Sequence, residues 1–180
     1  MKRGVSAVFL DRDGTINVDY GYVYEKEKLQ FIDGAVQGLK LLQAAGYKLI
    51  IVTNQSGIAR GFFSIEQMEE FHKNMLDKLA EEGVVISRIY YCPHLNGCEC
   101  RKPQLKLFYQ AQKEFDLDFA KSYVIGDKLR DLALCEKEPV KGYLINAEKK
   151  IIAKDKNIII CNNLLSAAKD IVGFKNHESY

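Results

Sequence analysis

The stretch "VSAVFLDRDGT", Val5–Thr15, decides the fold. Its first six residues are apolar or small, without the alternation of a half-exposed strand. Such a run is how a strand buried on both faces of a parallel sheet reads. The run then gives way at once to Asp11, Arg12, Asp13 and Gly14. In open α/β sheets ligands bind beyond the carboxyl ends of the strands, so the acids stand where chemistry is expected. Taken alone, D-x-D-G is also an ordinary solvated turn. What separates the two readings is whether other strands end in the same way.

Working outward, five more runs of the buried type follow: "YKLIIVTN" (47–54), "SRIYYC" (87–92), "KSYVIGD" (121–127), "KGYLIN" (141–146) and "NIIIC" (157–161). Helical patterns lie between them. "DGAVQGLKLLQAAG" offers Asp33 as a cap, Gly46 as a stop and Val36, Leu39 and Leu42 on one face. "SIEQMEEFHKNMLDKLAEEG" opens with a capping box from Ser64 to Gln67 and places Ile65, Met68, Phe71, Met75 and Leu79 on one stripe. His72 of that helix stands among charged neighbours and is expected to be exposed or half-buried. "PQLKLFYQAQKEF" begins with a proline and spaces Leu105, Phe108, Gln112 and Phe115 along a face. A last helix is expected from Asn163 to about Val172. Alternating strands and helices predict an α/β fold with a parallel sheet and right-handed crossovers. No repeat or linker interrupts it, so residues 1–180 read as a single domain with a frayed tail at 174–180.

The bulk numbers set limits. The 180 residues suit one medium domain that needs no staples to fold. A net charge of +2 from 26 basic and 24 acidic residues leaves no footprint for nucleic acid or a membrane surface. The N-terminal apolar run is too short for a signal peptide or a membrane span, so a cytoplasmic protein is expected, with nothing that demands more than a monomer.

The other strand ends do repeat the pattern. "TNQSGIARG" (53–61) follows the second run, a Cys/His stretch and "RKP" the third, and "GDKLRD" (126–131) the fourth. Acids, a hydroxyl, amides and cations thus gather at one edge, as a site for phosphate and a hard metal would require. Converging carboxylates repel unless a cation neutralises them. Asp11 and Asp127 suit Mg²⁺, which takes few carboxylates and completes its shell with water and substrate phosphate. One aspartate of "DRD" would attack phosphorus while the other handles protons. Thr53 offers a hydroxyl, and Lys102, mounted beside the cysteines, a cation for phosphate.

"CPHLNGCEC" supplies Cys92, His94, Cys98 and Cys100. Five cysteines in the chain argue against a full disulfide framework, and a Cys₃His set suits tetrahedral Zn²⁺. Four protein ligands leave no open position, so the zinc is expected to be structural. Cys135 and Cys161 read as core.

"FLDRDGTIN", "VTNQSGIARG", "YYCPH", "CECRKP" and "YVIGDKLRD", in this order over about residues 5–135, resemble the haloacid dehalogenase-like (HAD-like) phosphatases. More narrowly they resemble the D-glycero-D-manno-heptose 1,7-bisphosphate 7-phosphatase family, with histidinol-phosphate phosphatases as relatives. The resemblance implies a Rossmann-like fold without a large cap domain and a small phosphorylated sugar as substrate. It implies that Asp11 is the nucleophile, forming an aspartyl-phosphate, and that Asp13 is the proton donor and then the base. Mg²⁺ would be held by Asp11, Asp127 and the backbone carbonyl of Asp13. Thr53 and Lys102 would steady the phosphoryl group, and Arg101 would take the far end of the substrate. Arg12, Asp19, Tyr20, Gly21, Tyr22, Asn54, Gln55, Ser56 and Lys128 would bind the remainder. Three other functions compete: a histidinol-phosphate phosphatase, a polynucleotide 3′-phosphatase, and a zinc-stabilised binding module without catalysis. The near-neutral charge weighs against the second. The full set of acids, Thr53 and Lys102 weighs against the third.

Overall fold

The computed structural model describes residues 4–145 and 157–173; the expected tail at 174–180 lies outside them, as does Asn146 of the fifth run. All six apolar runs form strands: β1 (Ala7–Leu10), β2 (Lys48–Asn54), β3 (Arg88–Cys92), β4 (Tyr123–Gly126), β5 (Lys141–Ile145) and β6 (Ile158–Cys161). They pair in parallel in one sheet, in the order β3-β2-β1-β4-β5-β6.

The inner strands are covered on both faces, which is why they carry apolar residues in succession; the edge strands β3 and β6, expected to be of the same buried type, are only partly covered, with Ile159 and Ile160 exposed. Along β1, Ala7 and Phe9 point to one face and Val8 and Leu10 to the other, and all four are buried. Phe9, Ile50 and Val52 pack with Phe108 and Ala111 of α3 (Lys106–Phe115) and with Leu132 and Leu134 of a 3₁₀ segment, Leu129–Glu136. On the opposite face, Val8, Leu10 and Ile51 meet three helices. These are α1 (Ala35–Ala44) through Leu39 and Leu42, α2 (Ile65–Glu81) through Met75 and Leu79, and α4 (Leu164–Ile171) through Leu164 and Ala167.

Helix α2 begins at the capping box expected of it: the Gln67 backbone N–H donates to Ser64 Oγ, and the Ser64 N–H to Gln67 Oε1. Asn163 caps α4 through its side chain. Four expectations need correction. Asp33 is not the cap of α1; Gly34 holds that position and makes no side-chain cap bond. Ile65, expected on the buried stripe of α2, is exposed in its first turn. Helix α3 starts three residues after Pro103, because the chain first turns at Lys102 and Pro103, and it buries Leu107, Phe108 and Ala111 while Leu105 and Phe115 are only partly covered. His72 is buried, because the side of α2 that carries it faces the loop after β1, where it meets a buried arginine.

Register fixes which residues share the functional edge. Leu10 pairs with Ile51 on one side and Ile125 on the other, so Asp11 emerges level with Val52 and Gly126. One step further along the neighbours lie Thr53 and Asp127. Asn54 pairs with Cys92, so the Cys/His stretch leaves β3 at the same level.

Candidate active site

Asp11 ends the central strand, hydrogen-bonded through its N–H to Ile125 O at 3.1 Å. Its carboxylate opens onto a cavity of about 380 Å³, the size of a small-ligand site. Lys102 Nζ lies beneath it, almost fully buried, and donates to Asp11 Oδ1 at 2.7 Å and to Val52 O at 2.6 Å, while contacting Asp131 Oδ1 at 2.8 Å. Those three contacts use all three ammonium hydrogens. Burial pushes the Asp11 carboxyl up to about 7, against the downward pull of Lys102 and with the help of Asp131. Burial would lower Lys102, but the Asp11 and Asp131 carboxylates outweigh it and hold the lysine above its usual range.

Asp11, Asp127 and Asp131 each bring a carboxylate oxygen within 4.8 Å of the others. Burial raises Asp127 above the usual carboxylate range, and its buried Oδ1 has no hydrogen-bond partner. A buried carboxylate oxygen left unpaired beside two other carboxylates is an arrangement a hard cation satisfies, so these residues fit Mg²⁺. Gly14 makes the approach possible: it has a φ of +81°, and a Cβ there would sit 2.4 Å from Asp127 Oδ2.

Asp13 sits two residues beyond Asp11 in the grip of several donors. Its Oδ1 accepts from Arg12 Nε at 3.0 Å, Arg12 Nη2 at 2.9 Å and Asn17 Nδ2 at 2.9 Å. Its Oδ2 accepts from Gln55 Nε2 at 2.9 Å and lies 2.8 Å from Arg12 Nη2. Gln55 reaches Thr53 Oγ1 as well, at 2.9 Å, which ties the end of β2 to the loop after β1.

The sulfur cluster lies beside this site. Cys92 Sγ is 2.9 Å from Cys100 Sγ and 3.5 Å from Cys98 Sγ, and His94 Nδ1 is 3.3 Å from Cys100 Sγ. All five cysteines are free thiols. Four soft donors drawn this close fit Zn²⁺, whose bonds to sulfur of about 2.3 Å set donors at the corners of a small tetrahedron. Burial pushes the Cys92 thiol up to about 12. Burial also opposes ionisation of Cys98, but backbone N–H groups of Cys100 and Arg101 outweigh it and bring that thiol down to about 6.

The loop is laced to β2 by its main chain. The Gln55 N–H donates to Cys92 O at 2.7 Å and the Ala59 N–H to Pro93 O at 3.2 Å. Asn54 makes a reciprocal pair with Lys102, accepting the lysine N–H at 2.9 Å and donating to its carbonyl at 3.1 Å. The loop therefore sets both the backbone of Lys102 and the side chain of Arg101, which reaches the cavity.

Asp11, Asp13, Asp19, Gly21, Tyr22, Thr53, Asn54, Gln55, Ser56, Arg101 and Lys128 all line the cavity, as expected from the sequence. Three expected substrate contacts do not. Lys102, expected to steady the phosphoryl group, is buried beneath Asp11 with its ammonium hydrogens spent on Asp11, Val52 and Asp131. Arg12 is fully buried, because its guanidinium is spent on Asp13 and His72. Tyr20 is exposed and turned away, with its hydroxyl bonded to Gln30.

Comparison with known proteins agrees with this geometry. The family model described as "Polynucleotide kinase 3 phosphatase" matches residues 8–142. The D-glycero-beta-D-manno-heptose-1,7-bisphosphate 7-phosphatase of Haemophilus ducreyi is 45% identical over 185 residues, covering 96% of this chain and 100% of the relative. The chain belongs to the heptose bisphosphate phosphatase family. Its relative of the same name in Escherichia coli K12 is 45% identical over 141 residues, covering 73% of this chain and 74% of that one. The crystal structure of a D,D-heptose 1,7-bisphosphate phosphatase from B. bronchiseptica, complexed with magnesium and phosphate, superposes with a TM-score of 0.85 at 28% identity. It covers 95% of this chain and 100% of that one.

Beyond the residues that resemblance to the heptose phosphatases supplies, three more line the cavity: Arg60, Arg130 and Asp131. Asp131 carried a signal, a second acid four residues after Asp127 in "GDKLRD". On an ideal helix that spacing puts both on one face, but a 3₁₀ segment starts between them, so sequence alone did not resolve it. Arg60 and Arg130 carried none, since an arginine in a loop is most often solvated.

Proposed function

We propose that the chain is a Mg²⁺-dependent phosphatase that removes the 7-phosphate of D-glycero-β-D-manno-heptose 1,7-bisphosphate through an aspartyl-phosphate on Asp11. The observation that carries it is the pairing of Asp11 and Asp13 at the end of the central strand, one beside a buried lysine and the other held by several donors. Asp11 attacks phosphorus in line with the departing sugar oxygen, and Asp13 gives that oxygen a proton. Asp13 then takes a proton from the water that hydrolyses the aspartyl-phosphate, which returns Asp11. When bound among Asp11, Asp127 and the Asp13 carbonyl, Mg²⁺ neutralises the clustered charge and keeps Asp11 anionic. Lys102 offsets the charge of Asp11 and Asp131, and Thr53 with the backbone at the end of β2 steadies the phosphoryl oxygens. Cys92, His94, Cys98 and Cys100 would hold Zn²⁺, which would fix the loop that presents Arg101 and Lys102.

Charge around the cavity supports a bisphosphate. Arg60, Arg101, Lys128 and Arg130 all line it, more cations than a single transferring phosphate needs. The same cations would repel histidinol phosphate, whose organic part is itself cationic. The test is kcat/KM, with Mg²⁺ present, for heptose 1,7-bisphosphate, histidinol phosphate and a 3′-phosphorylated oligonucleotide. The heptose substrate is expected to exceed the others by about 10²-fold or more, the scale on which a shaped pocket discriminates between related substrates. A higher value for either competitor would overturn the assignment.

A further inference from the structure

Arg12 and His72 take no part in the reaction as set out, yet they occupy the middle of the molecule. Arg12 is among the largest fully buried side chains, and His72 is buried on α2, 60 residues away in sequence. One edge of the guanidinium, Nε and Nη2, faces Asp13. Nη2 also donates to Val23 O at 2.7 Å, and the Phe71 ring lies 4.6 Å from the guanidinium carbon. The remaining nitrogen, Nη1, is 3.0 Å from His72 Nε2.

That last contact fixes the chemistry of the histidine. A guanidinium has donors only and stays charged, so His72 Nε2 has to be the acceptor. The ring is then neutral, with its proton on Nδ1. Burial and the Arg12 cation, opposed weakly by Asp13, keep its pKa down to about 3, so it stays neutral at any ordinary working pH.

The consequence falls on Asp13. Its Oδ1 accepts three donors, from Arg12 twice and Asn17 once, whereas Oδ2 accepts Gln55 and shares only the Arg12 Nη2 contact. Oδ2 is thus the less burdened oxygen, and proton traffic belongs there. We propose that Arg12, oriented by His72, is a positioning residue that pins Oδ1 of Asp13 and leaves Oδ2 to exchange the proton. In the first step the Oδ2 proton passes to the sugar oxygen as the P–O bond to the sugar breaks. In the second, Oδ2 takes a proton from water as the water oxygen bonds to phosphorus and the Asp11–phosphorus bond breaks. This assignment rests on the phosphatase reading above and adds to it two residues that never touch substrate.

The experiment uses the Mg²⁺- and Zn²⁺-loaded protein and compares wild type, His72→Leu, which has no acceptor, and His72→Gln, whose Oε1 can accept from Arg12. Histidine variants leave the buried Arg12–Asp13 ion pair in place, whereas removing Arg12 would endanger folding. For each, kcat/KM is measured for heptose 1,7-bisphosphate and for p-nitrophenyl phosphate, whose leaving group departs without a proton. His72→Leu is expected to lower the value for the sugar by about tenfold, part of the ~10²–10⁴ that general acid catalysis supplies, and that for p-nitrophenyl phosphate by less than about threefold. His72→Gln is expected to restore most of the difference. Equal losses on the two substrates, no loss in His72→Leu, or no recovery in a folded His72→Gln would overturn the proposal. A wild-type protein that hydrolyses neither substrate would overturn the phosphatase reading and the proposal with it.

Discussion

Two clusters of metal-seeking side chains stand side by side at one edge of the sheet, and they differ in almost every respect. The sulfur cluster comes from one loop, Cys92 to Cys100, and has four soft donors closing on one another. The carboxylate cluster is assembled from the ends of β1 and β4 and the segment after β4, with hard oxygens, one of them unpaired. The first leaves no position for a reactant. The second is completed only from outside, by cation, phosphate and water. A closed site serves to hold a loop; an incomplete one serves to turn over substrate.

The largest effect that would test this division is loss of the nucleophile. Asp11→Asn is expected to bring phosphate release to background with the thermal midpoint preserved or raised, since the variant relieves a crowded carboxylate cluster. Steady-state assays beside thermal denaturation would show it, and residual turnover near wild type would move the chemistry elsewhere.

Next comes a change that leaves every carboxylate in place. Gly14→Ala puts a methyl group 2.4 Å from Asp127 Oδ2 and forces the cluster apart. A drop in kcat of about 10²-fold is expected, the cost of misplacing reacting groups by roughly 1 Å, with a higher Mg²⁺ requirement in titrations of activity. An unchanged Mg²⁺ dependence would mean the cation does not lie on Asp127.

Damage to the closed cluster should read differently. Cys98→Ser is expected to lower zinc content and to raise KM by about tenfold, with kcat changed by less than about threefold, because it loosens Arg101 more than the reacting aspartates. A loss confined to kcat would erase the distinction between the two clusters.

The smallest effect belongs to Gly97, also at positive φ (+67°) but with open space where a Cβ would go. Gly97→Ala is expected to cost about 1 kcal/mol of stability from backbone strain alone, read from denaturant midpoints, and to leave kcat/KM unchanged. Two glycines with similar φ thus give opposite readouts, one in the rate and one only in stability.

The same contrast explains what the sequence made legible. Cys92, His94, Cys98 and Cys100 are close neighbours in the chain, so their spacing alone marked them as a candidate metal site. The inner strands β1, β2, β4 and β5 were legible because burial gave each a continuous apolar run, whereas β3 and β6 lie at the sheet edges and are only partly covered. Asp11 and Asp127 stood out as candidates because each follows a continuous apolar run directly. Asp131 escaped because its place depends on a 3₁₀ path, and His72 because its charged neighbours concealed that one side of α2 meets Arg12. Arg12 itself was misread as a substrate contact. Nothing local distinguishes an arginine that binds a ligand from one that braces the residue beside it.

The lacing of the Cys/His loop to β2 has a bearing on descent. Its fastenings, at Cys92 O, Pro93 O and Lys102, all lie outside the span from Leu95 to Gly97. That span can lengthen by a few residues at an entropic cost of only about 0.6 kcal/mol per doubling of its length, without shifting the anchors on either side. Mutation can therefore remodel this tip, which does not line the cavity, while the groups at the strand ends stay where they are. In a lineage of such proteins, the length of this tip can drift while the reaction itself is inherited intact.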